Sequence, residues 1–463
     1  MTKPGPGTGW IVAAYATGAA LLAIALLPEF LSGAAPGFGP MQICAVIGAL
    51  MAVFAGSVLL LRADRAAVRA RLLARLARLG KGGAKLALCF GSIALVALAA
   101  EAWARWRAVP PDDQRRWLEL IGELPEGKQL AADRGEWNNF AKLVYHDYYL
   151  YGPAPRKLAT STYTSFFGER PCPDSVADEA ADERCWFFGG STMMNIETTD
   201  ERTIANNAIK ELNRSGVRAA GHNFGTGMFQ SCLELAKFQE ILRRVPRERR
   251  PTLVVFYDGF NDPTCGYYFG AGHMQSDVAA RLQMLVEHRH WDMVRVGAIE
   301  GLFENSKFYQ QYGRWLASQR AALAGVGHDA SEENLAQTVA IYQTNMEMVR
   351  GICRQFHIRP VLVLQPLVPT KHGRTKDEDE LYESLKAGGF ADFVEGFYAR
   401  VRAVMADCPE FVDLSGVLDN DGRTDFYDLG HTGPYTGAHI GKALGVAIRS
   451  RPQPAKGHQE GGG

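Results

Sequence analysis

The sequence predicts an α/β domain built on a parallel sheet, with a membrane-anchoring section in front of it. After residue 183, short apolar runs of strand length alternate with segments of helical period. This alternation is typical of parallel strands covered by helices on both faces. The long uncharged apolar runs lie within about the first hundred residues instead. Because the chain has 463 residues, it has room for more than one domain.

The first 108 residues are predicted to cross a membrane about three times. Uncharged apolar runs of spanning length cover residues 10–27 and 41–61. A third run, 86–104, reaches spanning length but contains Glu101, so a buried core helix is its alternative. The first run could also be a signal peptide that is removed, which would leave the orientation of the later helices unchanged.

A basic loop between the second and third runs sets the predicted orientation. Residues 62–85 hold eight Lys and Arg against a single acidic residue, Asp64, whereas residues 28–40 hold no Lys or Arg. By the positive-inside rule this loop is cytoplasmic. We therefore expect a multi-pass protein of the cytoplasmic membrane whose C-terminal domain lies on the extracytoplasmic side.

Charge and cysteine content indicate which ligands and cross-links the chain is expected to have. Lys and Arg equal Asp and Glu at 50 each, so the net charge of zero does not favour nucleic acid. No Cys or His spacing of the zinc type is present, so no metal and no cofactor is expected. Six cysteines follow the membrane section, and Cys172 with Cys185 and Cys353 with Cys408 are the first disulfide pairs to test.

Residues 109–183 are predicted to be a linker that packs across the domain entrance. The segment is rich in aromatic residues, including four tyrosines at 145, 148, 149 and 151, but it carries no motif. At the other end of the chain, residues 451–463 finish in three glycines and are predicted to be a disordered tail.

The main domain is predicted over residues 184–450. Its strands are expected at 185–188, 217–223, 252–257, 361–365 and 411–414, and helices at 200–212, 232–243, 335–356 and 435–448. Residues 263–331 are too many for a plain loop and are rich in aromatic residues. They predict a helical insertion that forms either a lid or substrate wall, or simple peripheral packing.

A serine directly follows the first predicted strand. The apolar run that ends at Phe188 stops at Gly189 and Gly190, and Ser191 comes next, ahead of a helix. This order puts a hydroxyl at the carboxyl end of the sheet, where open α/β folds bind their ligands. The alternative is a tight turn with a serine that caps the helix.

Suggestive residues also follow three other predicted strands. Asn223-Phe224-Gly225-Thr226-Gly227 follows the second strand, Asp258-Gly259-Phe260-Asn261-Asp262 follows the third, and Asp428-Leu429-Gly430-His431 follows the fifth. Each motif alone is common in turns. Their order, at successive strand ends, indicates one site.

Together these motifs resemble the SGNH (GDSL-type) hydrolase family over about residues 184–449. The family is named for Ser, Gly, Asn and His in four blocks, which match Ser191, Gly225, Asn261 and His431. The Gly-x-Asn-Asp and Asp-x-x-His blocks are both present. The first block departs from Gly-Asp-Ser-Leu, since it reads Gly-Gly-Ser-Thr, a form similar to membrane-anchored and polysaccharide-related branches of the family.

The resemblance implies a flavodoxin-like three-layer α/β/α domain with strand order 2-1-3-4-5. It also implies that Ser191 is a nucleophile, that His431 is its base, and that Asp428 orients the imidazole. The N–H groups of Ser191 and Gly225 and the Asn261 amide would form the oxyanion hole. His439 is the nearest competitor for the base, but it has no aspartate three residues before it.

The leading functional expectation is an esterase or deacetylase that acts outside the membrane on O-acylated glycans or lipids. The alternative enzyme is an O-acetyltransferase that modifies an exported polysaccharide, with an acyl-donor or polysaccharide-export protein as its membrane partner. A catalytically silent envelope scaffold is the alternative of a different class, because fold alone does not determine function.

Overall fold

The computed structural model describes residues 98–99, 101–103, 112–122, 124–137, 143–272 and 328–451. The membrane runs predicted at 10–27 and 41–61, most of the run at 86–104, most of the insertion, and the tail after residue 451 lie outside these residues. In the described ranges, no helix has both the length and the apolar composition that crossing a membrane requires.

The chain divides into two compact units, one made of residues 1–109 and 284–326 and the other of residues 110–283 and 327–463. Nearly all described residues belong to the second unit. It begins with two helices, α1 (Asp112–Gly122) and α2 (Gly127–Trp137). Two small antiparallel pairs follow, β1 (Leu143–His146) with β2 (Leu150–Pro153) and β3 (Arg156–Lys157) with β4 (Thr162–Tyr163).

A six-stranded sheet forms the centre of this unit. Its strands are β5 (Arg170–Pro171), β6 (Glu183–Gly189), β7 (Ala219–Asn223), β8 (Leu253–Asp258), β9 (Arg359–Leu364) and β10 (Phe411–Asp413). The order across the sheet is β10-β9-β8-β6-β7-β5. The strands β6 to β10 are parallel. Numbered one to five in chain order, they lie across the sheet in the order 2-1-3-4-5, from β7 to β10.

The sheet starts earlier in the chain than the sequence predicted. Strand β5 pairs antiparallel with β7, with Arg170 opposite Asn223. Residues 109–183 were interpreted as a linker, but they contribute this edge strand. The sequence analysis missed this strand because two residues are too few to show any alternation of apolar and polar side chains.

Helices cover both faces of the sheet. They are α3 (Ser191–Met194), α4 (Ile204–Arg214), α5 (Ser231–Arg244), α6 (Asn261–Phe269), α7 (Glu332–Phe356), α8 (Lys376–Lys386), α9 (Phe390–Val404) and α10 (Pro434–Ser450). Side chains of β6 alternate between the two faces: Trp186 and Phe188 pack with α5, α7 and α9, whereas Cys185 and Phe187 pack with α4 and α10. The unit is therefore a three-layer α/β/α sandwich.

The two proposed disulfides are wrong, because all six cysteines of the described part are free thiols. Cys185 on β6 lies opposite Gly221 of β7, and the Cys172 sulfur, beyond the other edge of β7, is 3.1 Å from the place of a Cβ on Gly221. Two strand spacings, roughly 10 Å, thus separate the backbones, more than a disulfide spans. The Cys408 thiol instead donates to Glu410 Oε2 at 3.3 Å.

Candidate active site

Ser191 is the first residue of the one-turn helix α3, directly after the carboxyl end of β6. The glycine before it is needed for space, since a Cβ on Gly190 would lie 2.1 Å from Asn261 Nδ2. The small turn therefore lets the Asn261 side chain approach the serine closely. The N–H of Ser191 has no acceptor within its own helix, because it belongs to the first turn.

Three side chains from two distant segments form a hydrogen-bonded chain. Ser191 Oγ is 2.7 Å from His431 Nε2, and His431 Nδ1 is 2.7 Å from Asp428 Oδ2. Because a carboxylate only accepts, this contact assigns the Nδ1 proton to His431 and leaves Nε2 as the acceptor for the serine hydroxyl. The arrangement is that of a nucleophile, a base and an orienting acid.

The Asp428 carboxylate is fixed by its own backbone. Its Oδ1 accepts hydrogen bonds from the N–H groups of Gly430, at 3.0 Å, and His431, at 2.8 Å. Burial pushes the pKa of Asp428 upward, but His431 and these N–H donors outweigh it and hold that pKa below its usual value of 3.8. Asp428 is therefore ionised at neutral pH.

Aromatic rings surround the imidazole on two sides. The Tyr427 ring stacks on His431 with a centroid separation of 5.7 Å, and Phe260 meets it edge-on at 5.2 Å. Both rings restrict the rotation of the imidazole and reduce its contact with water. The competitor His439 lies exposed on α10.

One predicted oxyanion donor is available and one is occupied. Asn261 Nδ2 donates to the Phe229 main-chain oxygen at 2.6 Å, which leaves its second amide hydrogen for a ligand. The Gly225 N–H, however, donates to Asn223 Oδ1 at 2.9 Å. What Gly225 does provide is room: a Cβ there would lie 2.5 Å from the main-chain nitrogen of Met194 in α3.

Arg170 supports the turn formed by Gly190 and α3, here called the nucleophile turn, and the sequence analysis missed it. It is 1% exposed, and its guanidinium donates to the main-chain oxygens of Met194 at 2.8 Å, of Asn195, and of Thr198 at 2.5 Å. It also pairs with Asp200 at 2.7 Å. The arginine thus caps the carbonyl end of α3. Nothing in the sequence marks it, because it lies in a segment without a motif.

A buried lysine supports the loop of residues 423–433, which carries Asp428 and His431. Lys371 Nζ pairs with Glu378 Oε2 at 2.8 Å and Asp425 Oδ2 at 2.7 Å, and it donates to the Arg423 main-chain oxygen at 2.9 Å. Burial opposes its charge, but the two carboxylates raise the pKa of Lys371 above its usual value. The Gly433 N–H closes the loop by donating to the Asp425 main-chain oxygen at 3.1 Å.

Three buried carboxyl groups lie beside the nucleophile turn. Glu234, Asp258 and Asp262 are all less than 10% exposed, and burial raises the pKa of each. For Glu234, the neighbouring carboxyl groups of Asp258 and Asp262 raise the pKa further. The described part of the chain contains no cluster of His, Cys, Asp and Glu arranged to hold a metal ion.

The cluster adjoins a narrow space with no room for a water molecule. This space is lined by Gly190, Thr192, Phe229, Glu234, Tyr257, Asp258, Phe260, Asn261 and Gln365. The Thr192 hydroxyl donates to Gln365 Oε1 at 2.7 Å, which ties the nucleophile turn to the end of β9. A larger groove of about 490 Å³ lies after β10 and has no triad residue in its lining.

No model of a known protein family matches the chain, and no curated protein does. Among solved structures, a member of the lipolytic G-D-S-L family from Veillonella parvula is 11% identical, covers 58% of this chain and 99% of its own, and has a TM-score of 0.33. A GDSL-like lipase from Bacteroides thetaiotaomicron is 14% identical, covers 57% of this chain and 87% of its own, and has a TM-score of 0.29. An acetyl xylan esterase is 12% identical, covers 57% of this chain and 99% of its own, and has a TM-score of 0.31. Resemblances of this strength assign no activity.

Proposed function

We propose that this chain is a serine-dependent hydrolase of carboxylic esters. The observation that carries the proposal is the continuous contact from Ser191 Oγ through the imidazole of His431 to Asp428, with both distances at 2.7 Å. A serine that merely caps a helix has no need of a histidine held in this tautomer by a carboxylate. The contact therefore also argues against a silent scaffold.

In the proposed reaction, His431 Nε2 takes the hydroxyl proton of Ser191 while Oγ attacks the ester carbonyl carbon. The tetrahedral intermediate collapses when its bond to the alcohol oxygen breaks, and the same imidazole gives that oxygen the proton. Water then attacks the seryl ester with His431 as its base, the bond from the acyl carbon to Ser191 Oγ breaks, and the imidazolium returns the proton to Oγ as the acid leaves. Asp428 stays ionised throughout and stabilises the imidazolium that forms twice in the cycle.

The negative charge of each intermediate needs fixed donors. The Ser191 N–H at the start of α3 and the second amide hydrogen of Asn261 are the two donors that this geometry favours. The Gly225 N–H could join them only if its hydrogen bond with Asn223 were released. We therefore assign Gly225 mainly to the close packing of its loop against α3.

The substrates we propose are O-acylated glycans or lipids outside the cytoplasmic membrane. The support comes from the sequence: the apolar runs at 10–27 and 41–61, the basic loop at 62–85, and the Gly-Gly-Ser-Thr form of the first block. A periplasmic reporter enzyme fused after residue 451 should be active, whereas the same reporter fused within residues 62–85 should be inactive. The reverse pattern would overturn the proposed orientation.

The first test uses the purified full-length chain with p-nitrophenyl acetate and a fluorophosphonate probe. We expect turnover and covalent labelling, with both lost in Ser191→Ala and turnover lost in His431→Ala. His439→Ala, the matched histidine control, should behave as the wild type. A folded wild-type chain that neither labels nor turns over the ester would refute the hydrolase proposal.

The same assay addresses transfer to a sugar hydroxyl, since the triad could serve either acceptor. Labelling by the probe together with release of p-nitrophenol only when a glycan is added would favour the O-acetyltransferase. Release in water alone would favour the hydrolase.

A further inference from the structure

Lys237 on α5 is a fully buried cation close to the candidate active site. Its side chain is 0% exposed. Nζ donates to two neutral oxygens, the Phe224 main-chain oxygen at 2.7 Å and Thr226 Oγ1 at 2.8 Å. A buried ammonium is costly unless its surroundings replace water, so its position calls for an explanation.

Aromatic faces supply the rest of the environment of this lysine. The rings of Tyr149, Phe224 and Phe229 have their centroids 5.7, 5.8 and 6.0 Å from Nζ. Ring faces attract a cation, and three of them with two oxygen acceptors form a cage that suits the protonated amine. Tyr149 lies between β1 and β2, so the segment in front of the sheet completes this cage.

The two oxygen acceptors lie on either side of Gly225. The loop that they belong to is hydrogen-bonded to β6, since the Phe224 N–H donates to Phe187 O at 2.8 Å and the Thr226 N–H donates to Gly189 O at 2.9 Å. The same loop leads to Phe229, whose main-chain oxygen orients Asn261. Lys237 therefore holds the base of a loop that contacts both α3 and the Asn261 amide.

We propose that Lys237 is a positioning residue for ester hydrolysis: its ammonium group fixes the Phe224–Thr226 loop, and through it Asn261 and the nucleophile turn. This inference rests on the proposed function and goes beyond it, because Lys237 belongs to none of the four sequence blocks. The protonated form is the competent one, since only an ammonium group is held by the ring faces as well as by the two oxygens.

The proton on Lys237 is lost close to neutral pH. Burial lowers the pKa of Lys237 to about 7, against the opposing pull of Glu234 from its own helix and of Glu169 from the segment before β5. His146 faces it from β1, and burial together with Lys237 lowers the pKa of that imidazole to about 4, so His146 is neutral in this range. The competent fraction therefore falls as the pH rises through about 7.

The test is the pH profile of kcat and KM for p-nitrophenyl acetate, measured on the full-length chain between about pH 5 and 10 with the Ser191→Ala rate subtracted. For the wild type we expect kcat to fall on the alkaline side, starting near pH 7. In Lys237→Met, kcat should drop by on the order of tenfold or more, with little change in KM, and the alkaline fall should disappear. The control Lys442→Met, an exposed lysine of α10, should keep the wild-type profile.

A second variant guards against a Lys237→Met chain that does not fold. Thr226→Val removes one acceptor of the ammonium group and keeps the lysine. Since this weakens the hold on the charged form, we expect the alkaline fall to begin at a lower pH than in the wild type.

Two results overturn the inference and are distinct from each other. If the wild type turns over the ester through Ser191 but shows no alkaline fall, or if Lys237→Met or Thr226→Val keeps the wild-type profile, the positioning role is wrong and the hydrolase stands. If the wild type neither labels with fluorophosphonate nor turns over, the proposed function and this inference fail together.

Discussion

Arg170 Nη1 donates a hydrogen bond of 2.8 Å to the main-chain oxygen of Met194, the last residue of the nucleophile helix. The arginine lies on the antiparallel edge strand β5, and the helix follows the parallel strand β6. The position of Ser191 thus depends on a segment that is separate from all of the blocks that carry the chemistry. The first prediction follows from this contact.

We expect Arg170→Met to lower both stability and turnover. The substitution removes the cationic partner of the Asp200 carboxylate, and it uncaps α3. Breaking a buried ion pair from one side typically costs about 3–5 kcal/mol. Urea unfolding monitored by circular dichroism measures the first effect, and p-nitrophenyl acetate turnover measures the second. Arg218→Met removes an exposed pair with Asp182 and should leave both unchanged. Equal stability in the two variants would contradict the capping role.

Asp428→Asn should lower kcat by at least on the order of a hundredfold without unfolding the chain. The amide can keep the hydrogen bonds of the turn, but it no longer stabilises the imidazolium and can hold the wrong tautomer. Asp407→Asn, at an exposed position, is the matched control. Wild-type kcat in Asp428→Asn would show that the His431 contact has no catalytic role.

The lowered pKa of Asp428 also fixes the sign of its acid dependence. A carboxyl whose pKa is lower in the folded than in the unfolded chain adds stability above the unfolded value of 3.8, and that stability is lost as the pH falls through the folded pKa. We therefore expect Asp428 to stay ionised between about pH 5 and 7. Any loss of activity in that range then has a cause other than protonation of Asp428. Chemical-shift titration of a carboxyl-labelled chain checks this, and a midpoint above 5 for Asp428 would contradict it.

Lys237 should make the wild type more stable on the alkaline side of neutrality. Between the folded pKa of about 7 and the unfolded value of 10.5, the unfolded chain binds more protons, so the free energy of unfolding rises with pH. Lys237→Met should lack this rise. Urea midpoints at about pH 6 and 9 for both chains measure the difference, and parallel changes in the two would disprove the buried charge.

Glu234 should change the free energy of unfolding with pH in the opposite direction to Lys237, and Glu234→Gln tests this. The pKa of Glu234 is raised in the folded chain, so the wild type loses stability as the pH rises above the ordinary value of 4.5. The variant removes that loss and should be the more stable chain at about pH 8, while being similar near pH 4. Thermal unfolding at the two pH values is the measurement. A variant that is less stable at pH 8 would show that Glu234 is ionised and paired.

Gly225→Ala should abolish turnover, because its Cβ would lie 2.5 Å from the main-chain nitrogen of Met194 and would force α3 or the loop to shift. Gly351→Ala is the control: Gly351 lies within α7, five residues before its end, and an added Cβ there would have no atom within 4 Å. Replacing a helical glycine by alanine there should add about 0.5–1 kcal/mol of stability. Turnover by Gly225→Ala equal to the control would show that α3 tolerates displacement.

The sequence was informative where local pattern determines structure. The Asp428 and His431 contact arises within four residues, and the five parallel strands were predicted because buried strands read as apolar runs. Arg170, Lys237 and Lys371 could not be predicted, since their roles depend on partners brought close only by the tertiary fold. The helices α8 and α9 were likewise not predicted, and the pair Cys172 with Cys185 failed because linear spacing does not reveal the intervening strand β7.

The separation of Ser191 and His431 along the chain has a consequence for the order in which the candidate site is assembled. Ser191 and His431 are 240 residues apart, and synthesis from the N-terminus delivers Arg170, the serine and Asn261 well before the histidine. A nascent or truncated chain that stops before residue 428 therefore carries the serine but neither His431 nor Asp428. We therefore expect the proposed reactivity to appear only after the segment around His431 has been synthesised and has folded against Ser191.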